Sequence, residues 1–300
     1  MNVRIIEVGP RDGLQNEAAN IPTESKLDFI QHLAEAGLTE IEATSFVSPK
    51  WVPQLADAED LWPQLSGLGA RFSALVPNLK GLERAVALGV DRIALFTAAS
   101  DAFTMKNINM TVDRSIEVFK EVADTFRQSR PKGWIRGYVS TAFECPYSGR
   151  IDPRATVNVA ARLLELGVDE VSIGDTIGVA APGEVAYLAG YLQEFVPLDR
   201  VAFHFHDTRG TAVANVSKAL EMGVRAFDSS AGGLGGCPYA PGAGGNLATE
   251  DLVYLLERSG VSTGVDLAKL AQASLPVLGL LGRAPVAKAQ LAALAASNPK

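Results

Sequence analysis

The chain has 300 residues, 47% of them hydrophobic and 20% charged, and 34 acidic residues against 27 Lys and Arg give a formal net charge of −7. That balance provides ample apolar material for a core but no general basic face, so nucleic acid is not expected as a partner. No apolar run approaches the length of a bilayer span, which sets a membrane aside as well.

The run "RIIEV" (4–8) predicts a strand almost at the first residue, with no signal or transit segment before it. The helical pattern "TESKLDFIQHLAEAG" follows, and then the strand candidates "TEIEAT" (39–44), "RFSALV" (71–76) and "DRIALFT" (91–97). After a second long helical pattern, "TVDRSIEVFKEVADTF", come "IRGYVST" (135–141), "DEVSIG" (169–174), "VAFHFH" (201–206) and "RAFDSS" (225–230). Gly37, Gly89, Gly167 and Gly223 each stand where a helix should end before such a run, the position of a left-handed C-cap. Short apolar strands alternating with helices predict parallel pairing beneath a helical layer. The expected fold class is therefore α/β, a (β/α)8 TIM barrel with extra C-terminal helices, and an open doubly wound sheet is the second candidate. The barrel is expected over about 3–260 and the added helices over about 264–295, in a single catalytic domain of 1–300, since no linker or low-complexity stretch divides the chain.

A barrel directs the search for chemistry to the C-terminal ends of its strands. Arg11 and Asp12 follow the first strand, Glu42 stands in the second, and Asp175 ends the sixth. The seventh carries His204 and His206, two of only three histidines, followed by Asp207. Residues i and i+2 of a strand share a face, so the two imidazoles project together while Phe203 and Phe205 point into the helix layer. Two imidazoles opposite Asp12, with Asn246 adding an amide oxygen from the eighth loop, define a candidate divalent-metal site. The oxygen donors and the room for water favour Mg²⁺ or Mn²⁺. A lone strand histidine is usually a satisfied core or surface residue. Here several titratable groups converge, and burying them together is costly without a cation or a chemical role. His32, on the first helix, reads as solvated surface.

Seven glycines fall between Gly232 and Asn246, around Cys237. Such a loop is either slack linker or a lid that closes over a ligand, and the cysteine, prolines and tyrosine within it favour a lid. Cys145, in "AFECPYSGR", is the only other cysteine and has no role fixed by the sequence. Two cysteines in such different surroundings fit a reducing compartment, so a cytoplasmic protein is expected.

The stretches "EVGPRDGLQNE", "IEATSFVSPKWVPQ", "FTMKNIN" and "GGLGGCPYAPGAGGNLATEDLVYLL" resemble the 3-hydroxy-3-methylglutaryl-CoA lyase family over nearly the whole chain. The arginine–aspartate pair and the His-x-His are shared more broadly, with barrel synthases of the same superfamily. The resemblance implies metal binding by Asp12, His204, His206 and Asn246, substrate contact by Arg11, and a catalytic Cys237 on a lid. Glu42, Asp175 and His204 become candidates for proton transfer. Lys50, Lys106 and Asn107, in loops on the same mouth, are candidates for meeting coenzyme A phosphates, although loop lysines are often simply solvated. The implied reaction is the cleavage of a tertiary 3-hydroxyacyl-CoA in leucine and ketone-body catabolism. A barrel lyase acting on a different 3-hydroxyacyl-CoA, or a barrel that binds metal and acyl-CoA without turnover, are the alternatives. A homodimer is compatible with this reading.

Overall fold

A computed structural model describes residues 2–236 and 245–297. Eight parallel strands close into a barrel: β1 (Arg4–Glu7), β2 (Glu40–Ser45), β3 (Arg71–Leu75), β4 (Arg92–Ala98), β5 (Trp134–Ser140), β8 (Glu170–Asp175), β9 (Val201–Phe205) and β10 (Ala226–Ser229). β6 (Glu144–Cys145) and β7 (Gly149–Arg150) form a short antiparallel hairpin beyond the end of β5. Around the barrel the order is β1-β10-β9-β8-β5-β4-β3-β2, with β2 returning to β1, as the α/β barrel reading expects.

Helices α1 (Thr23–Glu35), α2 (Ala58–Leu61), α3 (Leu79–Ala87), α4 (Asp101–Ile108), α5 (Val112–Ser129), α6 (Pro153–Glu165), α7 (Pro182–Phe195), α8 (Ala212–Glu221) and α9 (Thr249–Arg258) fill the connections. Their local chemistry is simple. Thr111 accepts the amide of Arg114 at 3.2 Å to start α5, and Ile116, Phe119, Val122, Ala123 and Phe126 then fall on one buried stripe. Gly37, Gly89, Gly167 and Gly223 all have positive φ, between 80° and 103°, just past helix ends, which is the cap expected of them. Each buried side chain of this size contributes about 1.5–3 kcal/mol, and together they form the layer between barrel wall and helices. Phe203 and Phe205 lie in that layer, their rings stacked at 5.1 Å, so β9 faces as its alternation required.

The added C-terminal helices are α10 (Leu267–Ala273), α11 (Leu275–Leu280) and α12 (Lys288–Ser297). Gln290 of α12 donates to the carbonyl of Ala271 and the hydroxyl of Ser274, fixing α12 on α10. Ser274 and Leu278 in turn press on Gly232, at the start of the glycine-rich loop. Among the described residues no helix is long and apolar enough to cross a membrane.

The barrel interior is more polar than short apolar strands suggest. Arg4 of β1 pairs with Glu170 of β8, Tyr138 of β5 with Glu42 of β2, and Arg136 of β5 with Asp228 of β10. None of these strands are neighbours, so each pair crosses the lumen. Two salt bridges and a phenol–carboxylate hydrogen bond therefore span the lumen.

Candidate active site

After β1 the chain makes a single wide turn, Gly9–Gly13, in which the carbonyl of Val8 accepts the amides of Arg11, Asp12 and Gly13 at 2.7–3.2 Å. Gly13 has no room for a side chain, because a Cβ there would meet Leu234 and Ser230 at 2.9 Å. The turn carries Arg11 and Asp12 over the barrel opening. Arg11 Nη1 donates to Asp12 Oδ1 at 2.7 Å, and its Nε pairs with Glu42. The Tyr138 hydroxyl donates to the second Glu42 oxygen at 2.6 Å. The Arg11 and Arg136 guanidiniums lie 5.3 and 5.2 Å from the Tyr138 ring centre, where its π-face attracts cations. Arg11 is thus fixed by two carboxylates and an aromatic ring, and is 4% exposed.

His204 and His206 stand side by side on and just after β9, ring centres 5.2 Å apart. His204 Nε2 lies 3.9 Å from Asp12 Oδ2, and one ligand atom each of Asp12, His204 and His206 falls within 4.8 Å of the others. A bridge between His206 and Asn246 brings the far end of the glycine-rich segment to the same place. Asn246 Nδ2 donates to Asp12 Oδ2 at 2.9 Å and to the Leu234 carbonyl at 3.0 Å. Among the described residues its Oδ1 is left buried without a hydrogen-bond partner, as is His206 Nδ1. Buried acceptors without donors are costly. A cation among Asp12, His204, His206 and Asn246 would remove that cost at the amide oxygen, and carboxylate, imidazole and amide are ligand types that divalent ions accept. The residues fit a metal.

The electrostatics agree. Burial works against the Asp12 carboxylate, but Arg11 and the two imidazoles outweigh it and hold its pKa well below the usual range. Burial likewise disfavours a charged His204, yet Asp228 and Asp12 raise its pKa. His206 is pushed down to about 3 by burial and by His204, so it stays neutral with a lone pair to give. Asp175, at the end of β8, is pushed up to about 6 by burial, even though the amides of Val179 and Ala180 donate to it at 3.0 and 2.9 Å.

The structure thus brings together Arg11, Asp12, Glu42, His204, His206 and Asn246, with Asp175 on the neighbouring strand. Glu42 is fully buried and held by two donors, which suits orientation of Arg11 better than the proton transfer considered from the sequence. Lys106 and Asn107 lie in α4, not in a loop, because Ser100 caps a regular helix there. They and Lys50 are exposed. Asp207 accepts the Ala212 amide at 2.9 Å and serves the start of α8. Cys237 lies outside the described residues. Cys145 is 1% exposed, packed with Ala98 and Phe103, and its sulfur accepts from Ser100. His32 is exposed, as expected.

Sequence reasoning missed Arg136, Tyr138, Ser172 and Asp228. The signal was present as polar residues two apart in "IRGYVST" and an aspartate inside "RAFDSS", at positions that alternation turns into the lumen.

Fold and site together define a (β/α)8-barrel enzyme with its chemistry at the C-terminal mouth. A family model described as HMGL-like matches residues 2–277, and the chain belongs to the HMGL-like family. It is 49% identical over 296 residues to hydroxymethylglutaryl-CoA lyase of Pseudomonas mevalonii, covering 98% of both proteins. The mitochondrial hydroxymethylglutaryl-CoA lyase of Arabidopsis thaliana is 48% identical over 97% of this chain, which spans only 62% of that protein's length. The crystal structure of hydroxymethylglutaryl-CoA lyase from Pseudomonas aeruginosa superposes with a TM-score of 0.95 at 46% identity, covering 98% of each chain. The resemblance read from the sequence is borne out.

Proposed function

We propose that the chain cleaves 3-hydroxy-3-methylglutaryl-CoA to acetyl-CoA and acetoacetate, with Mg²⁺ or Mn²⁺ held by Asp12, His204, His206 and Asn246. The carbon–carbon lyase class rests on the family and on near-full-length relatives of that activity. The observation that carries the site assignment is the buried Asn246 Oδ1, without a partner among the described residues, beside Asp12 and the paired histidines.

The reaction is a retro-Claisen cleavage. The C3 hydroxyl gives up its proton, its oxygen becomes the ketone of acetoacetate, and the C2–C3 bond breaks. The electron pair passes to C2 as a thioester enolate, which takes a proton to become acetyl-CoA. A divalent ion bound at this site supplies positive charge that acidifies a chelated hydroxyl and anchors a carboxylate. Arg11, always charged and locked by Glu42 and Asp12, is placed to stabilise negative charge on the thioester oxygen without reorganising. Asp175, with a pKa raised to about 6, holds and releases a proton near neutral pH. We assign the proton delivered to or taken from C2 to Cys237, the residue after Gly236. The carbonyl of Gly236 accepts from Asn16, in the segment after the Arg11–Asp12 turn. The cytoplasmic setting belongs to this proposal too, supported by the cysteine content.

The decisive test is acetoacetate release from 3-hydroxy-3-methylglutaryl-CoA by purified protein, with Mn²⁺ supplied and with metal chelated. Rapid release only with metal is expected, and Cys237→Ala is expected to lower kcat at least ~100-fold with KM little changed. No release under either condition, from folded protein, would overturn the substrate assignment. Undiminished turnover by Cys237→Ala would remove that thiol from the reaction.

A further inference from the structure

The two site histidines are held differently. Among the described residues His206 Nδ1 has no hydrogen-bond partner, whereas His204 Nδ1 lies 3.2 Å from Asp228 Oδ2. Asp228 sits directly opposite His204 in the β9–β10 register, so both side chains enter the lumen at one level. Its carboxylate is fully buried and fully used. Oδ1 accepts Arg136 Nη2 at 2.6 Å, and Oδ2 accepts the Ser172 hydroxyl at 2.8 Å while lying against His204 Nδ1.

Arg136 is itself fixed. It reaches across the lumen, with Nε 3.1 Å from Glu170 Oε1, and Glu170 also pairs with Arg4. We propose that Asp228, clamped by Arg136 and Ser172, is the positioning residue of His204, holding the imidazole proton on Nδ1 and aiming the Nε2 lone pair toward Asp12. An ionised carboxylate can only accept, so a neutral imidazole beside it must donate from Nδ1. Nε2 is then the nitrogen left to bind a ligand, and it is the one facing Asp12. The lumen's salt bridges thereby keep Asp228 from turning away from the imidazole.

This inference rests on the metal-site reading, but the tautomer is measured without metal or substrate, so the two can fail separately. Two-bond ¹H–¹⁵N spectra of labelled, metal-free protein report which ring nitrogen carries the proton. They are recorded above the imidazole titrations, with signals assigned through His32→Gln and His206→Gln. With three histidines in the chain, the spectrum is sparse enough to assign.

Wild type should show a protonated Nδ1 and bare Nε2 at His204. In Asp228→Asn the amide oxygen stays with Arg136, which can only donate, and the amide N–H group takes the Oδ2 position facing His204 Nδ1, where the Ser172 hydroxyl can turn to accept. The tautomer should reverse, and Mn²⁺ affinity of the metal-free protein should fall about 10- to 100-fold. Ser172→Ala, which keeps the carboxylate, should keep the tautomer. An Nε2-protonated His204 in wild type overturns the proposal even if no variant folds, and so does an Asp228→Asn protein with unchanged tautomer and affinity. An Nδ1-protonated His204 in a protein that binds no Mn²⁺ would support the positioning and sink the metal site.

Discussion

Glu42 has no solvent contact, and its two oxygens are taken by Arg11 and Tyr138. Replacing Tyr138 by Phe leaves one of those oxygens buried without its donor, at a cost of ~1–3 kcal/mol. A lower Tm is therefore expected, along with a reduced kcat, because the carboxylate that orients Arg11 loses the phenol that holds it in place. Equal Tm in the variant would show that Glu42 finds another donor. A pair of buried acids sits at the base of the glycine-rich loop. Glu7 accepts the amides of Gly9 and Ala231 and the Thr249 hydroxyl, and Glu250 accepts the amide of Gly232. Burial raises their pKa values to about 7 and about 8. A raised carboxyl binds its proton more tightly in the folded state, so stability falls as pH rises from the unfolded pKa through these values. Glu250→Gln keeps an acceptor and cannot ionise. It should melt above wild type near pH ~9, by on the order of 3 kcal/mol, with the advantage shrinking toward pH ~5. A constant difference across that range would contradict the burial argument. These residues could not be read from the sequence, because nothing local tells a buried glutamate from a solvated one.

The glycine-rich connection between β10 and α9 is built from close backbone approaches at its two ends. Gly232 and Gly233 have φ of 69° and 64°, and a Cβ on Gly245 would lie 1.8 Å from the Gly233 carbonyl oxygen. The two legs of the loop are packed against each other with no space for a side chain. Gly245→Ala must separate them, and with them the bridge that holds Asn246 beside His206. The expected result is a loss of ~1–3 kcal/mol in stability and weaker metal binding, measurable by thermal melting and Mn²⁺ titration. Wild-type values for both would show that the legs can part freely. The elements themselves are legible along the chain. Each barrel strand starts and ends within about a residue or two of its expected position, since apolar runs and glycine caps are local signals. The helix at Asp101–Ile108 is not, its capping serine being hidden in a stretch without strong periodicity.

At the scale of the whole molecule, metal binding should be visible as stability. An ion that binds only the folded chain adds about 2.7 kcal/mol at a hundredfold excess over Kd. Mn²⁺ should therefore raise Tm of wild type and leave His206→Ala unmoved, and an equal rise in both would place the ion elsewhere. By itself the sequence determined the order of strands and helices, the shared face of His204 and His206, and the family, because periodicity, caps and motifs lie along the chain. Only closure of the barrel decided which groups meet. Arg136 reaches Asp228 across 92 residues of sequence, and Asn246 reaches Asp12 across 234. Such partners are set by register and by the narrow lumen, where a buried charge must find its counterpart among whatever the opposite wall presents.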